Sequence, residues 1–428
     1  MTAAKVILWG TKIGTVLFDD DTGIGSFEYD PDFISSGIEV SPIVMPLSNR
    51  VYQFPELARI SFHGLPGLLA DSLPDKFGNA VIDGWLQSQG RTPDSFNPVE
   101  RLCYTGSRGM GALEYLPTKG PRANTSTSIR IDKLVELASK ILDSRKNMHV
   151  TPGKNAMQEI IRVGTSAGGA RAKAVIAWNE EKNDIRSGQI EAGKGYGYWI
   201  IKFDGVSANG DKEGPDDPQY TRIEYAYSLM AKKAGIKMSE CRQYKENGRY
   251  HFMTRRFDRD PVTGDKIHMQ SLGAIAHFDF NQPGAYSYEQ AAQVMRKLRI
   301  SNTDIRQLYR RMVFNILSRN QDDHVKNISF LMDRKGKWSL SPAYDVTFAY
   351  NPSGEWTNTH QMSVNGKRTG FTYNDLILSA QSIGVKQPDA EKIISEVRES
   401  IDNWEQFAEK AELSESVFME IKQLFVYI

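Results

Sequence analysis

A chain of 428 residues that is 40% hydrophobic and 25% charged is too long for one ordinary core and has a globular composition, so two or three domains are expected. Its net charge of +1 excludes a whole-molecule electrostatic bias toward DNA or an anionic membrane. Cys103 and Cys241 are the only two cysteines and make neither a disulfide framework nor a zinc site. With no apolar run of membrane-spanning length and no signal-peptide-like start in MTAAKVILWG, a soluble cytoplasmic protein without membrane contact is expected.

In chain order, KVILWG and TVLFDD flank a Gly-containing turn and predict a β-hairpin. FHGLPGLLADSLPDKFGNAVIDGWL sets Pro66 and Pro74 ahead of a helix-like run, and CYTGSRGMGALEYLP reads as a Gly-rich turn entering a strand. The polar stretch Pro117 to Ser128 is the best linker candidate. After it, Leu134, Leu137, Ile141 and Leu142 have helical spacing. From Ile161 to about Met269 strands dominate, as AKAVIAW, GYWIIKF and RYHFMTRRF. One helix, TRIEYAYSLMAKKAG, interrupts them, with Gly235 placed to cap it. DPVTGD reads as a hairpin turn. From about Tyr286 helices take over. SNTDIRQLYRRMVFNILSRN puts Ile305, Leu308, Met312, Val313, Ile316 and Leu317 on one face, and PDAEKIISEVRESIDNW and the segment after Ser414 are helical again.

The densest chemistry lies in RNQDDHVKNISF, Arg319 to Phe330, where a helix gives way to a strand. Asp322 and Asn327 are five apart with His324 between them. A carboxylate to accept a hydroxyl proton and a nearby oxygen ligand for Mg2+ is what phosphoryl transfer needs, and the spacing is that of a kinase catalytic loop. A polar turn capping a helix is the competing reading. After a short hairpin turning at Asp333 to Lys337, Asp345 returns where kinases place a second metal-binding carboxylate. Strand alternation would set Tyr344 and Val346 opposite to it.

Two Gly-rich stretches compete for phosphate. GQIEAGKG, Gly188 to Gly195, nearly matches a Walker loop, but it ends in Gly195 in place of Ser or Thr and precedes a strand, so it is rejected. VGTSAGGARAKAVIAW sets Gly164, Gly168 and Gly169 around Ser166, ahead of a strand carrying Lys173. Small residues there would let backbone N–H groups approach phosphate oxygens, although an ordinary β-turn would look the same. GYWIIKF supplies Lys202 in an apolar strand, and the following helix offers Glu224 as a candidate to orient it. The alternative sets Lys202 at an exposed strand end and Glu224 on the surface. RYHFMTRRFDRD is a strand running into a polar turn. Such a stretch could link two lobes, with backbone groups meeting adenine and Asp258 reaching the ribose, or it could be a charged strand end. There is no H-E-x-x-H and no G-x-S-x-G, and GSRGMGA lacks the βαβ context of a dinucleotide site.

LPDKFG (Leu73 to Gly78), TGSRGMGALEYLP, SAGGARAK, WIIKF, RFDR, DDHVKN and PAYDV, in that order, resemble the HipA family, the serine/threonine-kinase toxins of bacterial toxin–antitoxin pairs. D-x-H-x-x-N is also similar to the loop of phosphatidylinositol kinases. The resemblance implies an α+β, two-lobed, protein-kinase-like (phosphatidylinositol-kinase-related) fold. It would comprise a β-rich subdomain over residues 1–120, a strand-rich N-lobe over 121–260 and a helical C-lobe over 261–428. It implies ATP and Mg2+ as cofactors, Asp322 as catalytic base, Asn327 and Asp345 as Mg2+ ligands, and Lys202 as the phosphate-binding lysine. Phe257 and Asp258 would lie at the adenine–ribose hinge, and Gly168, Gly169, Ala170, Lys173, Arg255, Gln270 and His324 are further ATP-binding candidates. Ser166 matches an inhibitory autophosphorylation serine in a loop that can leave the nucleotide site, with Thr165 beside it, and Lys173 matches the lysine closing that loop. Arg255 stands where the family often has Glu. Implied partners are a helix-turn-helix HipB-like antitoxin, which would be the only route to DNA, and a protein substrate such as an aminoacyl-tRNA synthetase. A co-repressor with a vestigial nucleotide site and a small-molecule kinase are the alternatives.

Overall fold

The computed structural model describes residues 1–120, 128–146, 171–206 and 219–428. The Gly-rich candidates Gly164, Thr165, Ser166, Gly168, Gly169 and Ala170 lie outside the described residues. Two compact units divide the chain. The first comprises Met1–Pro218, Tyr244–Gln270 and Met332–Gly336, and the second Gln219–Gln243, Ser271–Leu331 and Lys337–Ile428.

The first unit opens with the expected hairpin, β1 (Thr2–Leu8) against β2 (Thr11–Asp19), turning at Trp9 and Gly10. Both turn residues have positive φ, 50° and 83°, as a two-residue turn matched to strand twist requires. β3 (Ile24–Tyr29) and β4 (Leu113–Leu116) complete a sheet of order β3-β2-β1-β4. Period-two alternation turns Val6 and Leu8 of β1, and Val16 and Phe18 of β2, inward. Helix α1 (Lys76–Ser88) begins at Asp75, whose side chain accepts the Gly78 N–H at 2.6 Å. Helix α2 (Pro98–Thr105) starts with a capping box between Asn97 and Glu100. CYT is the last turn of this helix, so the Gly-rich turn starts later than the sequence suggested.

A second sheet of order β6-β5-β7-β9-β8 is built from β5 (Lys173–Asn179), β6 (Asp184–Ser187), β7 (Gly197–Lys202), β8 (Cys241–Glu246) and β9 (Arg249–Arg255). The rejected Walker-like stretch joins β6 to β7 and opens no helix. Helix α3 (Ile131–Lys146) carries the predicted apolar face, and Leu134, Leu137 and Ile141 are buried. These side chains share one core with Phe77, Val81, Ile82 and Leu86 of α1 and with Ile176, Trp199, Ile201 and Met253 of the sheet.

The second unit is helical. Helix α4 (Tyr220–Lys233) stops as expected, with Gly235 at φ 77° just beyond its end. Helices α5 (Tyr288–Lys297) and α6 (Asn302–Leu317) follow. The six apolar residues predicted on one face of α6 are each no more than 2% exposed. After α6 the chain forms a hairpin of β10 (Ser329–Met332) and β11 (Trp338–Leu340). Helices α7 (Tyr373–Ser382), α8 (Gln387–Asp402), α9 (Trp404–Lys410) and α10 (Glu415–Leu424) complete the unit. No described helix is long and apolar enough to cross a membrane.

Candidate active site

In the second unit the loop between α6 and β10 folds back on itself. Asn327 Nδ2 donates to the Asp322 carbonyl at 2.9 Å, and the Asn327 N–H donates to the His324 carbonyl at 2.9 Å. His324 Nε2 lies 3.8 Å from Asp322 Oδ1. The Asp322 side chain is 44% exposed. Beneath it, Asp323 is buried and accepts from the Gln361 N–H at 2.8 Å, from Tyr288 Oη–H at 2.9 Å and from His360 Nδ1 at 2.9 Å. Asn315 Nδ2 donates to Tyr288 Oη, and Asn320 Nδ2 donates to Asn315 Oδ1, both at 2.9 Å. This chain of hydrogen bonds fixes the loop to α5, α6 and the segment at residue 360, and burying it raises the Tyr288 hydroxyl well above the usual phenol range.

Asp345 joins His324 and Asn327 in lining one cavity. It sits at φ 54°, a left-handed conformation that Asp tolerates better than most residues. Its neighbour Tyr344 donates to the Lys326 carbonyl at 2.5 Å and lies 2.5 Å from Ser329 Oγ, so the segment after the hairpin is tied to the loop before it. The alternation expected of a strand at this place does not hold. β11 ends at Leu340, and Tyr344, Asp345 and Val346 all line the same cavity, because the backbone turns left-handed at Asp345.

Arg311 of α6 lines this cavity as well. It is 6% exposed, and its Nη2 donates to the Ser341 carbonyl at 2.5 Å. Burial pushes its guanidinium down to about 10. The sequence reading missed Arg311, Asp323, Tyr288 and His360. The only local signal was the doubled acid Asp322–Asp323.

In the first unit Lys202 ends β7, with its Nζ 5.9 Å from the centre of the Phe252 ring on β9. Lys173 faces it directly across the β5–β7 pair. Lys173 is 3% exposed and approaches Asp75 at 3.2 Å. Glu224 is buried on α4 and belongs to the second unit, whereas Lys202 belongs to the first.

The stretch after β9 turns inward. Asp258 is fully buried, with its carboxylate enclosed by arginines. Arg256 Nε and Nη2 hold its two oxygens at 2.8 and 2.6 Å, Arg259 Nη1 lies 3.0 Å away, and the Gly111 N–H donates at 2.7 Å. Burial alone would raise this carboxyl, but the two guanidinium groups outweigh it and hold it far below the usual carboxylate range. Arg256 and Arg259 also donate to the Gly109 and Gly111 carbonyls. RFDR and the Gly-rich turn of TGSRGMGA are thus two halves of one buried knot. Arg255 and Phe257, on either side of Arg256, are half-buried. Gln270 is buried, with its Nε2 on the Val40 carbonyl at 2.7 Å.

Among the described residues, no three His, Cys, Asp or Glu side chains cluster as a metal cage. The amide oxygen of Asn327 and the carboxylate of Asp345, two residues that line one cavity, are hard oxygen donors. They fit Mg2+, which takes one or two protein ligands and completes its shell with water and phosphate.

The chain matches family models described as the HipA N-terminal domain, over residues 4–116, and the HipA-like C-terminal domain, over residues 165–404. A Sinorhizobium fredii protein named "Putative kinase Y4dM" is 29% identical over 265 residues, covering 54% of this chain and 58% of that protein. A Haemophilus influenzae protein named "Putative kinase" is 29% identical over 168 residues, covering 34% of this chain and 48% of that protein. The chain thus spans about half the length of these relatives. The solved Shewanella oneidensis HipA, in a complex with HipB and operator DNA, superposes with a TM-score of 0.69 over 98% of this chain and 95% of that one, at 16% identity. The architecture is therefore the expected α+β, two-lobed, kinase-like fold. With the C-terminal family model alone matching more than half of its residues, the chain belongs to the HipA family.

Proposed function

We propose that the chain is an ATP- and Mg2+-dependent kinase that transfers the γ-phosphoryl group to a serine or threonine hydroxyl of a protein, as the toxin of a toxin–antitoxin pair. One observation carries this reading. The partly exposed carboxylate of Asp322 lies in the same folded loop as Asn327, which lines one cavity together with Asp345. When bound, Mg2+ would neutralise charge on the phosphate oxygens. Asp322 accepts the proton of the attacking hydroxyl. Asn327 and Asp345 supply the oxygen ligands, and the Tyr344 tether keeps Asp345 at the loop. Lys202 and Lys173 provide positive charge for phosphates on one face of the second sheet. Arg255, Phe257, Gln270 and His324 remain candidates for nucleotide contacts, as do Gly168, Gly169 and Ala170, with Ser166 as the autophosphorylation site. A helix-turn-helix antitoxin, like the HipB bound in the Shewanella complex, would bring the chain to DNA, because a net charge of +1 gives it little affinity of its own.

The test is transfer of labelled phosphate from ATP to the protein itself and to a bacterial extract. Asp322→Asn should lower the rate by about 10^2–10^4-fold while leaving the unfolding midpoint unchanged. Transfer at the wild-type rate would overturn the assignment.

A further inference from the structure

Two lysines stand directly opposite each other in the second sheet. Lys173 and Lys202 are register partners on antiparallel β5 and β7, so their side chains leave the same face of the sheet, and like charges so placed repel. The next register partner outward, Phe252 on β9, covers one flank of Lys202. Lys173 is 3% exposed, and a buried ammonium needs a counter-ion.

One counter-ion comes from far away in sequence. Asp75, with its side chain 7% exposed, brings Oδ2 to 3.2 Å from Lys173 Nζ. Its other oxygen, Oδ1, caps α1 through the Gly78 N–H at 2.6 Å. Oδ2 nonetheless has no partner in hydrogen-bond geometry among the described residues. The carboxylate therefore balances charge on Lys173 while its Oδ2 accepts no hydrogen bond, an arrangement that a better-directed anion can displace. We propose that Asp75 is a resident counter-ion of the two-lysine face and competes with nucleotide phosphate for Lys173. On this reading the LPDKFG segment sets nucleotide affinity. The inference rests on the nucleotide-binding reading of Lys173 and Lys202.

The probe is ADP with Mg2+, titrated calorimetrically into the full chain. Asp75→Asn is the informative variant, because Asn caps a helix as well as Asp does while removing the charge. It should bind ADP about tenfold more tightly and keep its α1 cap. Because the variant strands a buried lysine, Lys173→Gln is compared with the Lys173→Gln/Asp75→Asn double variant. Competition through Lys173 requires these two to bind ADP equally. Unchanged or weaker ADP binding by Asp75→Asn, or a gain of the same size in the Lys173→Gln background, overturns the proposal while leaving nucleotide binding intact. Failure of the wild-type chain to bind ADP overturns the kinase reading and the competition with it.

Discussion

Asp322 and Asp323 are neighbours with opposite environments, 44% exposed in one case and buried beneath three donors in the other. Losing either has different consequences. Asp323→Ala would leave Tyr288, His360 and the Gln361 N–H without their acceptor, and should cost about 3–5 kcal/mol in urea denaturation. A loss below about 1 kcal/mol would show that these bonds contribute no more than surface contacts. The spacing of Asp322 to Asn327 was readable because it is local. The role of Asp323 was not, since its partners lie 35 to 38 residues away and nothing in D-D tells which acid turns inward. Asp258 shows the same limit. A carboxylate flanked by arginines looks exposed as a string of letters, and only the distant glycines at 109 and 111 reveal that it is enclosed.

Among the elements, those with periodic apolar faces were legible. The first hairpin, α3, α4 and α6 lie where hydrophobic spacing and glycine caps put them. The short strands β6 and β8 were not singled out. DIRS and CRQYKE carry little apolar alternation, and their pairing partners decide their conformation. The end of the β10–β11 hairpin was readable as a place but not as a shape, because neither the left-handed φ of Asp345 nor the tether from Tyr344 to Lys326, 18 residues away, shows in the local letters. Tyr344→Phe removes that tether and little packing. On the proposed mechanism it should raise the Mg2+ concentration needed for half-maximal transfer by about tenfold, with the urea midpoint shifted by no more than about 1 kcal/mol. An unchanged Mg2+ requirement would mean that the backbone holds Asp345 without help.

At the scale of the molecule, acid should weaken the fold before it touches the carboxylates. His251 and His268 are fully buried. Burial pushes the first down to about 4, with Arg249 adding to the effect, and the second down to about 3, and it also holds His277 down to about 4, against 6.5 for an ordinary histidine. Below pH 6.5 the unfolded chain therefore takes up protons that the folded one refuses. Stability is full above that pH and falls by about 1.4 kcal/mol per unit for each histidine down to the folded values. Unfolding free energies from urea titrations at pH 7.5 and pH 5 should differ by about 4–6 kcal/mol, and a flat profile would show that these rings are protonated in the folded state. The two units interleave along the chain. The first resumes at Tyr244 after yielding to the second, and again at Met332. No single cut can therefore separate them, and a ribosome releasing the chain from its N-terminus completes the first unit, at Gly336, only after the whole loop of residues 319–330 has emerged. Halves made by splitting the gene at one point should regain structure only when both are produced together.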